Sequence, residues 1–114
     1  MILVIEDNKT WQKIYSRLLP QYDLVFCRDD IKAIKLIDQK TPQLILLDIF
    51  LNGPTAFTLL NELQSYPELA NIPIIIVSDA DLSRHNLKPY NIVKIFDKAS
   101  LDPRDLQREV EYYV

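Results

Sequence analysis

The segment from residue 44 to residue 51 reads Leu-Ile-Leu-Leu-Asp-Ile-Phe-Leu. Its first four residues are apolar, and such a short apolar run predicts a strand buried on both faces, as in a parallel sheet covered by helices. The only charge, Asp48, follows this strand directly. Because open α/β sheets bind ligands at the carboxyl ends of their strands, Asp48 is a candidate functional group.

Four similar apolar runs, with helical patterns between and after them, surround this segment. The five predicted strands are 1–5, 24–27, 44–47, 74–77 and 92–96. Apolar residues at helical spacing and capping residues predict five helices: 11–19, 30–40, 56–65 with Thr55 as its N-cap, roughly 82–87, and one that begins after Asp102. The turn signal Asn52-Gly53-Pro54 separates the third strand from its helix.

This alternation of strand and helix, repeated five times, predicts the fold class. Parallel strands joined by right-handed helical crossovers form a doubly wound, three-layer α/β sandwich. For five strands we expect the flavodoxin-like order 2-1-3-4-5, with the switch point between strands 1 and 3. The 114 residues fit one domain, 1–114, and we expect no effector domain within them.

Composition excludes several classes of function. A net charge of −3 offers no basic surface for nucleic acid or anionic membranes. A single glycine excludes the glycine-rich phosphate loops of dinucleotide-binding domains and P-loop proteins. One cysteine allows no internal disulfide, and no apolar run reaches the roughly 18 residues of a membrane span. We therefore expect a cytoplasmic domain.

Polar residues follow four of the predicted strands. Glu6 and Asp7 follow the first strand, Asp48 the third, Ser78 the fourth and Lys98 the fifth. The carboxyl ends of parallel strands share one edge of the sheet, so we expect these groups to converge. Three adjacent carboxylates repel one another, and a hard divalent cation such as Mg²⁺ relieves that repulsion.

The same set of groups suits phosphoryl transfer to a carboxylate. Asp48 is a possible nucleophile, because carboxylates form covalent phosphate intermediates. A metal ion and the Lys98 ammonium would neutralise charge on the transferred group. The Ser78 hydroxyl would donate a hydrogen bond to a phosphoryl oxygen.

The chain resembles a response-regulator receiver domain over essentially its whole length. The residues that carry the resemblance are 2–7, 44–48, 74–78 and Lys98. It implies that Asp48 accepts a phosphoryl group from a histidine kinase or phosphotransfer protein, with Mg²⁺ bound. It also implies that Ser78 is the switch hydroxyl and Lys98 the invariant ammonium.

The resemblance further implies a metal-ligand set and a mode of signalling. Asp7 and Asp48 would bind Mg²⁺ directly, Glu6 mostly through water, and Phe50 through its backbone carbonyl. A downstream protein would bind the face formed by helix 4 (roughly 82–87), strand 5 (92–96) and helix 5 (after Asp102). The resemblance also allows a homodimer. The only catalysis that we expect is the domain's own phosphotransfer and autodephosphorylation.

Several residues depart from the family pattern. Ala99 replaces the proline that usually follows the lysine, and Ile95 replaces the aromatic switch residue. Asp79 follows the switch hydroxyl, where small residues are usual, and it would repel a phosphoryl group. Asn52 and Ala56 replace a proline and a glycine in the loop after the acceptor. The short segment from residue 78 to residue 98 also predicts a stunted helix 4.

Two other functions compete with the phosphorylated receiver. The departures favour a receiver-like interaction module that signals without phosphorylation, whereas the three acids and Lys98 oppose it. A metal-dependent phosphohydrolase would need a further acid or base and a substrate pocket, and 114 residues leave no room for a cap domain. The sequence names neither the kinase nor the downstream partner.

Overall fold

The computed structural model describes residues 1–50 and 56–114, and its five parallel strands have the predicted order β2-β1-β3-β4-β5. In chain order the elements are β1 (Ile2–Ile5), α1 (Lys9–Leu18), β2 (Leu24–Cys27), α2 (Asp30–Gln39), β3 (Leu44–Leu47), α3 (Phe57–Ser65), β4 (Ile74–Ser78), β5 (Ile92–Asp97) and α4 (Pro103–Tyr113). The predicted flavodoxin-like α/β architecture is confirmed.

Side chains from alternate strand positions build two hydrophobic cores, one on each face of the sheet. Leu3 and Ile5 of β1 face the core that contains the buried side of α2 and α3. Ile2 and Val4 face the opposite core, which contains buried residues of α1 and α4. The central strands β1 and β3 are therefore apolar at every position, as a strand covered on both faces requires.

Side-chain caps set the start of three helices. Asn8 Oδ1 accepts a hydrogen bond from Trp11 N at 3.0 Å, and Asp29 Oδ1 accepts one from Lys32 N at 2.8 Å. The predicted cap of the last helix is confirmed, because Asp102 Oδ1 accepts from Arg104 N at 2.9 Å. The predicted Thr55 cap and the 52–54 turn lie outside the described residues.

The connection between β4 and β5 corrects the predicted fivefold alternation. Residues 79–91, all of them described, form turns and contain no helix, so the helix predicted at 82–87 is wrong. Asp81 Oδ1 accepts from Ser83 N at 3.0 Å, and Asn86 Oδ1 accepts from Lys88 N at 3.2 Å. Such local hydrogen bonds compete with helical ones. Helix 4 is thus replaced, in the predicted partner face, by the 79–91 segment.

The helices are too short or too polar to cross a membrane wherever the structure describes the chain.

We expect the central strand to dominate the stability of the fold. Leu46 in β3 is 1% exposed, and Leu46→Ala should lower the free energy of unfolding by about 2–5 kcal/mol, because it leaves a cavity in the core. Urea denaturation would measure this loss. The matched control is Ile31→Ala on α2, where the side chain is 67% exposed and a change within about 0.5 kcal/mol is expected. Equal losses in the two variants would contradict this description of the core.

Candidate functional site

Strand register brings the acidic residues together at one edge of the sheet. Ile5 pairs with Leu47, and Asp48 N donates to Ile5 O at 3.0 Å. Each of the side chains that follow, Glu6, Asp7 and Asp48, has a carboxylate oxygen within 4.8 Å of the other two. Glu6 and Asp48 are buried, and Asp7 is half-buried. The predicted convergence of the three carboxylates is therefore present in the structure.

Both carboxylate oxygens of Asp48 accept hydrogen bonds. Ser78 Oγ donates to Oδ1 at 2.7 Å, and Phe50 N donates to the same oxygen at 3.0 Å. Lys98 Nζ donates to Oδ2 at 2.9 Å. The predicted hydroxyl and ammonium thus contact opposite sides of one carboxylate, which they hold in a single orientation.

Lys98 is the cation of the site and has a second acidic partner. Its Nζ lies 2.5 Å from Glu6 Oε1, and its side chain is 8% exposed. Burial alone would lower the pKa of Lys98, but its close contacts with the carboxylates of Glu6 and Asp48 outweigh burial and hold the pKa above its usual range. The ammonium therefore stays charged between the two carboxylates.

The surroundings of Glu6 indicate that the negative charge of the site is not fully compensated. Burial raises the pKa of Glu6, and the nearby Lys98 offsets only part of this rise. Oε2 accepts from Asn8 N at 3.2 Å, whereas the buried Oε1 accepts no well-aligned hydrogen bond from the described residues. Among the described residues the cluster thus contains three carboxylates and one ammonium, and that ammonium contacts Glu6 and Asp48.

These features fit a hard divalent cation. The donor atoms are carboxylate oxygens, which Mg²⁺ prefers, and the two positive charges of the ion would balance the two carboxylates in excess of the single ammonium. The buried Glu6 Oε1, close to Lys98 but without an aligned hydrogen bond, is consistent with an additional cationic partner. The contribution of the Phe50 carbonyl to such a site stays a prediction.

The structure also locates the residues that depart from the family pattern. Asp79 is exposed, and the next residue, Ala80, donates its N–H to Ser78 Oγ at 3.2 Å. Ile95 is 48% exposed, whereas the aromatic Phe96 is buried in the core next to α4. Ala99 N donates to Asp97 Oδ1 at 2.8 Å. The aromatic side chain nearest the switch position therefore belongs to the core.

Two contacts of α1 with the site were not predicted. The Trp11 ring centroid lies 5.0 Å from Lys98 Nζ, and Gln12 Nε2 donates to Glu6 O at 2.8 Å. Trp11 lies on the apolar face of the predicted helix, and this position alone predicts that its side chain packs against the core. Its position about one turn after Asp7 does place Trp11 near the acids, but no sequence signal shows that the ring faces Lys98.

Comparison with known proteins agrees with this geometry. The sequence profile described as the response regulator receiver domain matches residues 2–111. The chain belongs to this family. Membership accounts for the placement of the acids, the hydroxyl and the ammonium at one edge of the sheet.

The individual relatives have low sequence identity to this chain. The polar-differentiation response regulator DivK of Brucella anthropi is 29% identical over 79 residues, which cover 68% of this chain and 64% of DivK.

Two solved receiver-type structures superpose well. The receiver domain of a sensor histidine kinase from Pseudomonas aeruginosa PAO1, solved with magnesium in its active site cleft, has a TM-score of 0.80 and 20% identity and covers 98% of this chain and 94% of its own.

The second structure is the phosphorylated cyanobacterial phytochrome response regulator RcpA. It has a TM-score of 0.78 and 26% identity, over 97% of this chain and 88% of its own. The fold of this receiver domain is therefore shared with proteins of clearly different sequence.

We expect the acidic cluster to bind Mg²⁺ and Trp11 to report the binding. Because Lys98 Nζ lies 5.0 Å from the indole centroid, a cation that competes with Lys98 for the carboxylates should change the emission of this single tryptophan. Titration with Mg²⁺ should saturate, and Asp7→Asn should weaken binding by roughly tenfold or more.

Asp38→Asn is the matched control, since it removes the same charge from an exposed residue of α2. It should leave the titration unchanged. An Asp7→Asn variant that binds Mg²⁺ as tightly as the control would contradict the assignment of the metal site.

Proposed function

We propose that this receiver domain accepts a phosphoryl group on Asp48 from the phosphorylated histidine of a kinase or phosphotransfer protein. The observation that carries the proposal is the set of hydrogen bonds on Asp48. A hydroxyl from Ser78 and an ammonium from Lys98 contact its two oxygens at 2.7 and 2.9 Å. The same two donors are suited to contact phosphoryl oxygens once Asp48 is phosphorylated.

The proposed step is a direct displacement at phosphorus. A lone pair of one Asp48 carboxylate oxygen forms the new O–P bond, and the P–N bond to the imidazole breaks. Its electron pair returns to the imidazole nitrogen of the donor. The donor reacts with its other ring nitrogen protonated, so that the products are an aspartyl phosphate and a neutral histidine. Lys98 offsets negative charge on the phosphoryl oxygens, and the buried site limits screening by water.

Mg²⁺ is the proposed cofactor. Asp7 and Asp48 would hold it directly, Glu6 mostly through water, and Phe50 through its backbone carbonyl. When bound, Mg²⁺ neutralises charge on the phosphoryl group that approaches Asp48. The clustered carboxylates support this proposal, as does the magnesium in the Pseudomonas aeruginosa receiver domain.

We further propose that the domain acts in the cytoplasm as a switch rather than as an enzyme with a separate substrate. Its chemistry would be limited to its own phosphotransfer and autodephosphorylation. The net charge of −3 argues against binding to nucleic acid or anionic membranes by this domain. A protein partner is then the natural recipient of the signal.

The proposed partner face consists of the 79–91 segment, β5 and α4. An open groove of about 520 Å³ lies along β5 and α4, and Tyr112 on its rim is 80% exposed. Ala80 N donates to Ser78 Oγ at 3.2 Å, so this face is connected to the site through one hydroxyl. A downstream protein would bind here, and a second copy of the chain is the alternative occupant.

The second candidate function is an interaction module that signals without phosphorylation. The position of the usual aromatic switch residue holds Ile95, which is 48% exposed, and Ala99 replaces the usual proline. Asp79 adds a negative charge next to Ser78. These residues favour a different form of signalling, whereas the contacts of Asp48 favour phosphorylation.

Incubation with acetyl phosphate and Mg²⁺, followed by intact-protein mass spectrometry, tests the proposal. The wild-type chain should gain the mass of one phosphoryl group, because Asp48 is the only acceptor proposed. Asp48→Asn should gain none, and Lys98→Met should react at least about tenfold more slowly, since it loses a charged partner of the phosphoryl oxygens.

Asp38→Asn is again the control, and it should react at the wild-type rate. A wild-type chain that binds Mg²⁺ but gains no phosphoryl group would support the phosphorylation-independent module. Multiple turnovers of unrelated phosphomonoesters would instead indicate a phosphohydrolase.

A further inference from the structure

We infer that Trp11 is a positioning residue for the proposed phosphotransfer and that it acts by holding the Lys98 ammonium; the inference rests on the proposed function of Asp48. Lys98 Nζ lies 5.0 Å from the centroid of the Trp11 ring, within the range of a cation–π contact. The same nitrogen lies 2.5 Å from Glu6 Oε1 and 2.9 Å from Asp48 Oδ2. The ammonium therefore has three partners, and one of them is uncharged.

The position of Trp11 is set by its own contacts. Its backbone N–H donates to the capping Asn8 Oδ1 at 3.0 Å in the first turn of α1. Its ring packs against the buried Tyr15 at 5.9 Å between centroids, with the planes inclined by 52°. The neighbouring Gln12 donates to Glu6 O at 2.8 Å, which connects the same turn to the acidic residues. The indole is thus fixed relative to the site.

An uncharged partner has a specific use at this position. When Asp48 becomes phosphorylated, its contact with Lys98 is replaced and the ammonium turns to a phosphoryl oxygen. Lysine has a flexible four-carbon side chain, and without the ring the remaining partner would be Glu6, whose carboxylate draws the ammonium away from the phosphoryl group. The face of the Trp11 ring attracts the ammonium through the quadrupole of the ring. Because the ring has no net charge, the full positive charge of Lys98 stays available to the phosphoryl oxygens.

The chain contains one tryptophan, so biosynthetic incorporation of fluorinated tryptophans alters position 11 alone. Successive fluorine atoms withdraw electron density from the ring face and change its shape little. The initial rate of phosphorylation by acetyl phosphate with Mg²⁺ should fall stepwise from mono- to trifluorotryptophan, by roughly three- to tenfold in total. Trp11→Phe should retain part of the rate, and Trp11→Leu should retain the least.

Urea denaturation of each protein separates positioning from folding. A rate that falls across the fluorinated series while the urea midpoint stays constant supports the inference, because a purely structural role depends on shape. An equal rate across the series would overturn it, and so would a rate that falls only in parallel with the midpoint.

A second measurement does not depend on phosphorylation. The fluorine NMR resonance of monofluorotryptophan at position 11 should shift in Lys98→Met relative to the wild-type sequence, and an unchanged resonance would overturn the contact. If the unmodified chain gains no phosphoryl group, the proposed function fails. The fluorine resonance then decides separately whether Trp11 holds Lys98.

Discussion

The site depends on one buried ammonium shared by two buried carboxylates. Lys98 Nζ lies 2.5 Å from Glu6 and 2.9 Å from Asp48, and its side chain is 8% exposed. Burial of a carboxylate is costly unless a cation accompanies it, so Lys98 permits two acids to lie at the end of an apolar sheet. With Asp7 nearby, three ionised carboxylates face one ammonium, so the site is two positive charges short, which is the physical basis for expecting a divalent metal ion.

The sheet supplies the geometry that this charge arrangement needs. Parallel register places Glu6 and Asp48 side by side after β1 and β3, and β4 and β5 deliver Ser78 and Lys98 to the same edge. Lys98 N also donates to Ser78 O at 3.1 Å, which fixes the backbone that carries both groups. Two apolar cores cover the faces of the sheet, and the polar groups lie outside both cores at the carboxyl ends of the strands.

Sequence patterns predicted the parts of this arrangement that depend on periodicity. Apolar runs such as 44–47 predicted the strands, and the strand ends predicted where Asp48 and Lys98 meet. The helix expected at 82–87 was wrong because the side chains of Asp81 and Asn86 accept hydrogen bonds from nearby backbone N–H groups, which competes with helical hydrogen bonding. The spacing of apolar residues gives no information about this competition. The Trp11 contact was missed because it joins residues that are distant in sequence and depends on side-chain direction.

The central claim is that the donors on Asp48 serve a phosphoryl group. A crystal structure with Mg²⁺ and beryllium fluoride, a mimic of the phosphoryl group, tests it most directly. We predict an adduct on Asp48, with Ser78 Oγ and Lys98 Nζ turned to its fluorine atoms and Mg²⁺ beside Asp7. A structure grown under the same conditions without an adduct, in which Lys98 still bridges Glu6 and Asp48, would contradict the claim.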